Sequence, residues 1–227
     1  MLVCVPRVLD TAQVAALRER LDRANDWIDG RSTAGQQAAT AKFNQQIDEQ
    51  SDVAFACQRV VTAALERNPV FISAALPNIL YPPVFNRYRE GMKYGPHIDG
   101  SVRLHPQAGR KLRIDIAGTL FLTKPSDYDG GELQIEDTFG PHSVKLDAGD
   151  LVIYPSTSLH QVTPVTRGIR TSCIFWVQSL VQDDAQRALL YEMDSAIQRL
   201  NQSHADEIAR HRLIACYHNL VRQWSQT

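Results

Sequence analysis

His97-Ile98-Asp99 places an imidazole and a carboxylate two residues apart. Residues i and i+2 of an extended segment project to the same side, so this pair can meet a single ion. His160 follows much later, past the apolar run Leu151–Tyr154 that leaves the tight Asp147–Asp150 turn. Two histidines and one carboxylate on one face, with open positions, suit Fe(II) that must also admit O2 and a chelating co-substrate. Pro164 and Gly168 then flank a turn before Arg170. A hairpin centred on Val165 would set Arg170 directly across from His160. A guanidinium beside a metal can grip a carboxylate bidentately, as a diacid chelating through its other end requires. Taken singly, each feature has a plainer reading: a surface turn before Gly100, a strand-end histidine, a solvated strand arginine.

The elements that must position these residues read as helices, then strands, then helices. Asp10 with Gln13 forms a capping box, and Val14, Leu17 and Leu21 follow at helical spacing. A second helix is expected over about residues 49–67, with Val53, Val60, Ala64 and Leu65 as its apolar stripe and Asn68-Pro69 as its stop. Gly30 to Asn44 is polar and reads as a loop and a mobile lid. From Ile79 to Leu180 the period becomes two. The expected strands are Val84–Tyr88, Leu112–Thr123, Glu132–Glu136, His142–Leu146, Leu151–Tyr154, Gln161–Val165 and Ile169–Leu180. Gly-, Pro- and Asp-rich turns separate them, which points to a β sandwich or barrel such as a jelly roll. After Asp183 two helices are expected, with Leu189, Met193, Ile197 and Leu200 on one face and Leu213, Tyr217, Leu220 and Trp224 on another. The expected units are therefore an N-terminal helical region (1–77) packing on the core, a catalytic β domain (78–180) and a helical extension (181–227).

The strand through Arg113–Thr123 has a core face of Ile114, Ile116, Leu120 and Leu122. Its other face carries Arg113, Asp115, Ala117, Thr119 and Phe121, facing either solvent or a wet pocket near the metal. Arg113 and Asp115 are its substrate-side candidates. Arg103, His105, Arg110, Lys111 and Arg113 make a basic loop, either solvated or facing an anionic substrate or partner. His204, His211 and His218 recur every seven residues. Seven helical residues rise roughly 10 Å, too far for one ion, so a polar or subunit-facing stripe is expected.

Composition sets outer bounds. With 227 residues, 44% hydrophobic and 22% charged, the chain is globular. It can bury roughly 70% of its unfolded surface, so it needs no metal merely to fold. A net charge of −1 argues against non-specific nucleic-acid binding. No apolar run nears the roughly 20 residues of a membrane span. Met1–Asp10 lacks signal-peptide character. Cys4, Cys57, Cys173 and Cys216 are scattered, which suits a reduced, cytoplasmic chain.

Several stretches together resemble a known family. They are Asn86–Tyr94 leading into His97-Ile98-Asp99, then Thr119–Leu122, Tyr128–Leu133, Ala148–Ser156, and Arg170 following His160. In order and spacing they are similar to the Fe(II)- and 2-oxoglutarate-dependent dioxygenases, and more narrowly to the bacterial PKHD-type (prolyl/lysyl-hydroxylase-domain) hydroxylases. The likeness covers about residues 78–180, and the C-terminal helices resemble that group's extension. It implies a mainly β fold, a double-stranded β-helix with flanking helices. It implies His97, Asp99 and His160 as ligands of Fe(II). Arg170 would hold the distal carboxylate of 2-oxoglutarate, with Ser172 assisting and Tyr88 hydrogen-bonded to the co-substrate. Phe121 stands where some prolyl hydroxylases carry a tyrosine; it can pack there but not donate. The implied activity is hydroxylation of an unactivated C–H bond by O2, coupled to decarboxylation of 2-oxoglutarate to succinate and CO2, with ascorbate as reductant. The rival reading is a cupin-like jelly-roll metalloprotein that does not use 2-oxoglutarate. A small-molecule or peptide substrate is expected, with no nucleic-acid or membrane partner. The C-terminal helices could build a homo-oligomer, because their apolar stripes exceed what a lone hairpin buries.

Overall fold

Alternating burial sorts the β-rich middle into two antiparallel sheets in the computed structural model, which describes residues 1–33, 35, 39–137, 140–202 and 206–226. The chain opens with β1 (Val3–Val5), α1 (Thr11–Asp22), β2 (Trp27–Asp29), β3 (Lys42–Phe43), β4 (Gln45–Ile47), α2 (Asp52–Arg67) and α3 (Pro69–Ala75). Next come β5 (Pro77–Leu80), β6 (Val84–Tyr88), β7 (Lys93–His97), β8 (Val102–Leu104), β9 (Lys111–Arg113) and β10 (Ile116–Phe121). Then follow β11 (Tyr128–Gly130), β12 (Leu133–Asp137), β13 (Gly140–Val144), β14 (Leu151–Pro155), β15 (His160–Val162), β16 (Val165–Gly168) and β17 (Arg170–Ser179). Two helices, α4 (Asp184–Gln202) and α5 (Glu207–Trp224), end the chain.

The larger sheet runs β1-β14-β10-β17-β6-β4-β2, with β5 beside β17; the smaller runs β13-β12-β15-β7-β3. Their inner faces share one core, which includes Tyr88, Phe121, Leu133, Ile135, Val152 and Val162. The outer face of the larger sheet carries a second core with α1, α2 and α3. β10 serves both, since Ile116 and Leu120 point to the helices while Ala117 and Phe121 point between the sheets. This is the expected jelly-roll arrangement with flanking helices.

Local chemistry sets the helix ends. Asp10 accepts from Gln13 N at 2.7 Å, and Asp10 N donates to Gln13 Oε1 at 3.0 Å, completing the capping box. α2 starts at a Ser51 cap, and its buried face is Ala54, Cys57, Gln58, Val61 and Leu65. Val53, Val60 and Ala64 are only partly buried, so the stripe is turned by one position from the expected one. Asn68 ends α2 and caps α3, whose first residue is Pro69.

Three expectations need correction. The N-terminal 77 residues are not only helical. β1 pairs with β14, β4 with β6, and β3 with β7, extending both sheets. These strands have two or three residues, too few to show alternation. The strand expected over Leu112–Thr123 breaks into β9 and β10 at Ile114 and Asp115, where the Asp115 carboxylate accepts from Ser179 N at 2.9 Å. β9 turns away to pair with β8. Finally, the hairpin joining His160 to Arg170 does not form. β15 pairs with β12 and β7, whereas β17 pairs with β6 and β10. Between them β16 leaves to pair with β11. A backbone pinch fixes this crossing: a Cβ on Gly130 (φ +66°) would lie 2.0 Å from the Pro164 carbonyl oxygen. His160 and Arg170 therefore come from opposite sheets.

Around the expected lid, residues 30–33 form a short 3-10 turn and Lys42 is buried in β3; residues 34 and 36–38 lie outside the described residues. At the C-terminus Leu190, not Leu189, is buried, joined by Val181 and by Tyr217, Leu220, Val221 and Trp224 of α5. Leu189 is 63% exposed. His211 and His218 are exposed, and His204 lies outside the described residues. Among the described residues, no helix is long and apolar enough to cross a membrane.

Gly118 faces Phe175 across β10 and β17, and a Cβ there would lie 2.4–2.8 Å from the Phe175 ring. Gly118→Ala should cost about 1–3 kcal/mol by overpacking. Urea unfolding should show a lower midpoint at unchanged slope.

Candidate active site

His97 and His160 are cross-strand partners in the smaller sheet, with ring centroids 4.2 Å apart. Asp99 lies two residues past the end of β7, and its Oδ2 is 3.9 Å from His160 Nε2. One ligand atom from each of the three lies within 4.8 Å of the others, and no other such group occurs among the described residues. Each imidazole is fixed from behind. Nδ1 of His97 meets the Gly95 carbonyl at 2.8 Å, and Nδ1 of His160 meets the Ser158 carbonyl at 3.0 Å. A carbonyl there needs N–H at Nδ1, which leaves the Nε2 lone pair free for a metal. Tyr94 stacks on His97 at 3.5 Å between centroids. Burial, with His160 beside it, pulls His97 down to about 3, so the ring stays neutral.

Arg170 opens β17 in the opposite sheet and is 1% exposed. Its cross-strand partner is Tyr88, and its Cζ lies 5.3 Å from the Tyr88 and Phe121 ring centroids. Nη1 donates to Ser172 Oγ at 2.6 Å, and that hydroxyl donates to Asn86 Oδ1 at 2.6 Å. Among the described residues, neither Arg170 Nε nor the hydroxyl of Tyr128, which feels the charge of Arg170, makes a hydrogen bond. Gly131 makes room for the arginine stem: a Cβ there would lie 3.1 Å from Arg170 Cδ. The result is a buried cation with neutral neighbours and a spare donor. Buried charges are normally paired, so this one fits a carboxylate supplied from outside the chain.

A cavity of about 280 Å³ joins the triad to Arg170 and Tyr88. Ser172 does not line it and instead holds Arg170 from behind. Of the polar face of β10, Ala117 and Thr119 line the cavity. Arg113 and Asp115 do not. They pair with each other at 2.7 Å, and Arg113 also reaches Ser179 O and Gln226, tying the C-terminus to the sheet. Of the basic loop only Arg103 lines the cavity.

Asn86, Lys42, Tyr154 and Trp176 also line the cavity, although the sequence reading assigned none of them a role. Asn86 shares the inner face of β6 with Tyr88, so period two applied to Tyr88 would have found it. Trp176 shares the face of Arg170 in the same way. Lys42 sits in a two-residue strand with no readable period. Burial and the charge of Arg103 lower its amine to about 8.

Residues 83–178 match the family model described as 2OG-Fe(II) oxygenase superfamily, and residues 184–226 match the PKHD-type hydroxylase C-terminal domain. A PKHD-type hydroxylase of Cupriavidus metallidurans is 67% identical, with all of both chains covered. A PKHD-type hydroxylase of Burkholderia ambifaria is 62% identical over the same full extent. Among solved structures, a Pseudomonas putida prolyl-4-hydroxylase superposes with TM-score 0.52 at 23% identity, covering 78% of this chain and 92% of that one. SnoK, an alpha-ketoglutarate-dependent carbocyclase of nogalamycin biosynthesis, superposes with TM-score 0.56 at 15% identity, covering 79% and 80%. At those identities the likeness shows the shared fold.

Arg170→Met tests whether the guanidinium is there for stability. Replacing buried ionic groups by apolar ones of similar size is often neutral or stabilising by roughly 1–4 kcal/mol. The ligand-free variant should melt at or above the wild-type temperature.

Proposed function

Because this chain belongs to the PKHD-type hydroxylases of the 2OG-Fe(II) oxygenase superfamily, we propose that His97, Asp99 and His160 hold Fe(II) and that Arg170 anchors the distal carboxylate of 2-oxoglutarate. The single observation that carries the assignment is one cavity with a His/Asp/His triad at one side and, at the other, a buried guanidinium with no ion-pair partner among the described residues. The donor set suits Fe(II) with open positions. The orphaned Nε of Arg170 suits a carboxylate.

Each residue then has a physical task. The Gly95 and Ser158 carbonyls keep both imidazoles in the tautomer that presents Nε2. Ser172 and Asn86 fix the guanidinium plane, so little is lost in ordering it when a carboxylate arrives. Tyr88 walls the co-substrate and its hydroxyl is the hydrogen-bond donor, while Phe121 packs beside the guanidinium. Leu133 and Val162 line the inter-sheet side and keep it apolar. The bound iron, with 2-oxoglutarate and O2, supplies the oxidising power to hydroxylate an unactivated C–H bond while 2-oxoglutarate becomes succinate and CO2. Ascorbate would be the reductant that keeps an iron held there as Fe(II). A reducing, cytoplasmic setting suits four free cysteines, two of them buried in the core.

Calorimetry with anaerobic, Fe(II)-loaded protein tests the anchor. Arg170→Met should weaken 2-oxoglutarate binding at least about 30-fold, as for loss of a buried charged partner. Unchanged affinity would favour a cupin-like metalloprotein that makes no use of 2-oxoglutarate. His160→Ala should abolish succinate and CO2 release by the aerobic protein supplied with Fe(II) and 2-oxoglutarate, together with stoichiometric iron binding. An assembly through α4 and α5 draws support from exposed Leu189, Ile208 and Leu213; a monomeric mass by light scattering would refute it.

A further inference from the structure

The cavity holds two cations besides Arg170. Lys42 is 6% exposed, and its amine reaches Gln46 Oε1 at 2.9 Å and Thr33 Oγ1 at 3.2 Å, both neutral. Its nearest ring is Tyr94, 5.4 Å away and stacked in turn on His97. Arg103 on β8 lies with Cζ 3.9 Å from the Trp176 centroid and 4.8 Å from that of Tyr81. Stacking fixes the plane of a guanidinium and leaves its edge donors available. Among the described residues, neither cation has an ion-pair partner.

The nearby carboxylates are committed. Asp99 belongs to the triad, and Asp29 is held by Arg31. Glu49 accepts from the Tyr81 hydroxyl at 3.2 Å and the Gln46 amide at 3.5 Å, and it does not line the cavity. Two cations with one carboxylate behind them leave about one positive charge facing the cavity, which matches a carboxylate better than a dianionic phosphate. The remaining wall on this side is apolar: Ile98 and Val102 line the cavity and are 58% and 54% exposed.

Resting on the iron and 2-oxoglutarate assignment above, we propose that Lys42 and Arg103 form a substrate subsite, so that the hydroxylated substrate is an organic acid. Its carboxylate lies between the two cations, and its aliphatic or aromatic body lies against Ile98 and Val102, beside the triad. Lys42 and Arg103 thus determine specificity, whereas Arg170 serves the co-substrate.

The probes are the straight-chain acids butanoate to octanoate and their primary amides, equal in size and different in charge. Each is titrated by calorimetry into anaerobic, Fe(II)-loaded protein saturated with 2-oxoglutarate. Charge-assisted hydrogen bonds are roughly twice as strong as neutral ones, so the best acid should bind about tenfold or more tightly than its amide. Lys42→Met and Arg103→Gln should each shrink that preference to about threefold or less. Arg103 is partly exposed on a short edge strand, so its variant reports even if the Lys42 variant does not fold. Equal affinity for acid and amide, no binding by any probe, or a preference that survives both substitutions would overturn the subsite. So would weakened 2-oxoglutarate binding in both variants with the acid preference intact, which would make the cations a steering device for the co-substrate. Failure of wild-type protein to bind 2-oxoglutarate, measured before any acid is added, would count instead against the assignment on which the subsite rests.

Discussion

A charge held between two sheets without a counter-charge governs this structure. Arg170 is buried at the cavity wall, and its neighbours are the Ser172 hydroxyl and the Tyr88 and Phe121 rings. A cation so placed is costly unless something negative arrives. The surrounding sequence is shaped to keep it there and extended. Gly131 clears space for its stem, Tyr88 lies opposite in register, and the Ser172–Asn86 relay occupies one end of the fork while Nε stays open. The sandwich places the triad on the facing sheet, so the cavity between is the one place where both can touch a single small molecule.

This opposition depends on the chain changing sheets between His160 and Arg170. Local sequence suggests a hairpin, because a proline and a glycine flank a short segment of alternating character. The chain instead threads β16 against β11, and the Gly130–Pro164 contact leaves no room for a side chain. A hairpin would have put imidazole and guanidinium side by side on one face. The crossing puts them at two ends of a cavity, as a chelating diacid demands.

The metal triad was legible because a His-x-Asp pair with a distant second histidine is, taken together, a chemically specific donor set, although β7, which carries His97 after Gly95 and Pro96, shows no clean alternation. The co-substrate end was legible through the order of the motifs, although the geometric reason for it, the hairpin register, was mistaken. What could not be read came from short or solitary elements. β3 and β4 show no period, so the N-terminal strands and Lys42 were hidden. Arg113 and Asp115 carry the right chemistry for a pocket, but they pair with each other and reach on to Ser179 and Gln226, far along the chain. Pairing at such separation leaves no local trace.

Both imidazoles of the triad are oriented by main-chain carbonyls, those of Gly95 and Ser158. Every residue type presents that same oxygen. Substitutions around the cavity can therefore accumulate without disturbing the tautomers, provided the backbone path holds. The reactive centre is insulated from the drift of its own walls. A lineage built on this plan can exchange the side chains that choose a substrate while inheriting its chemistry unchanged.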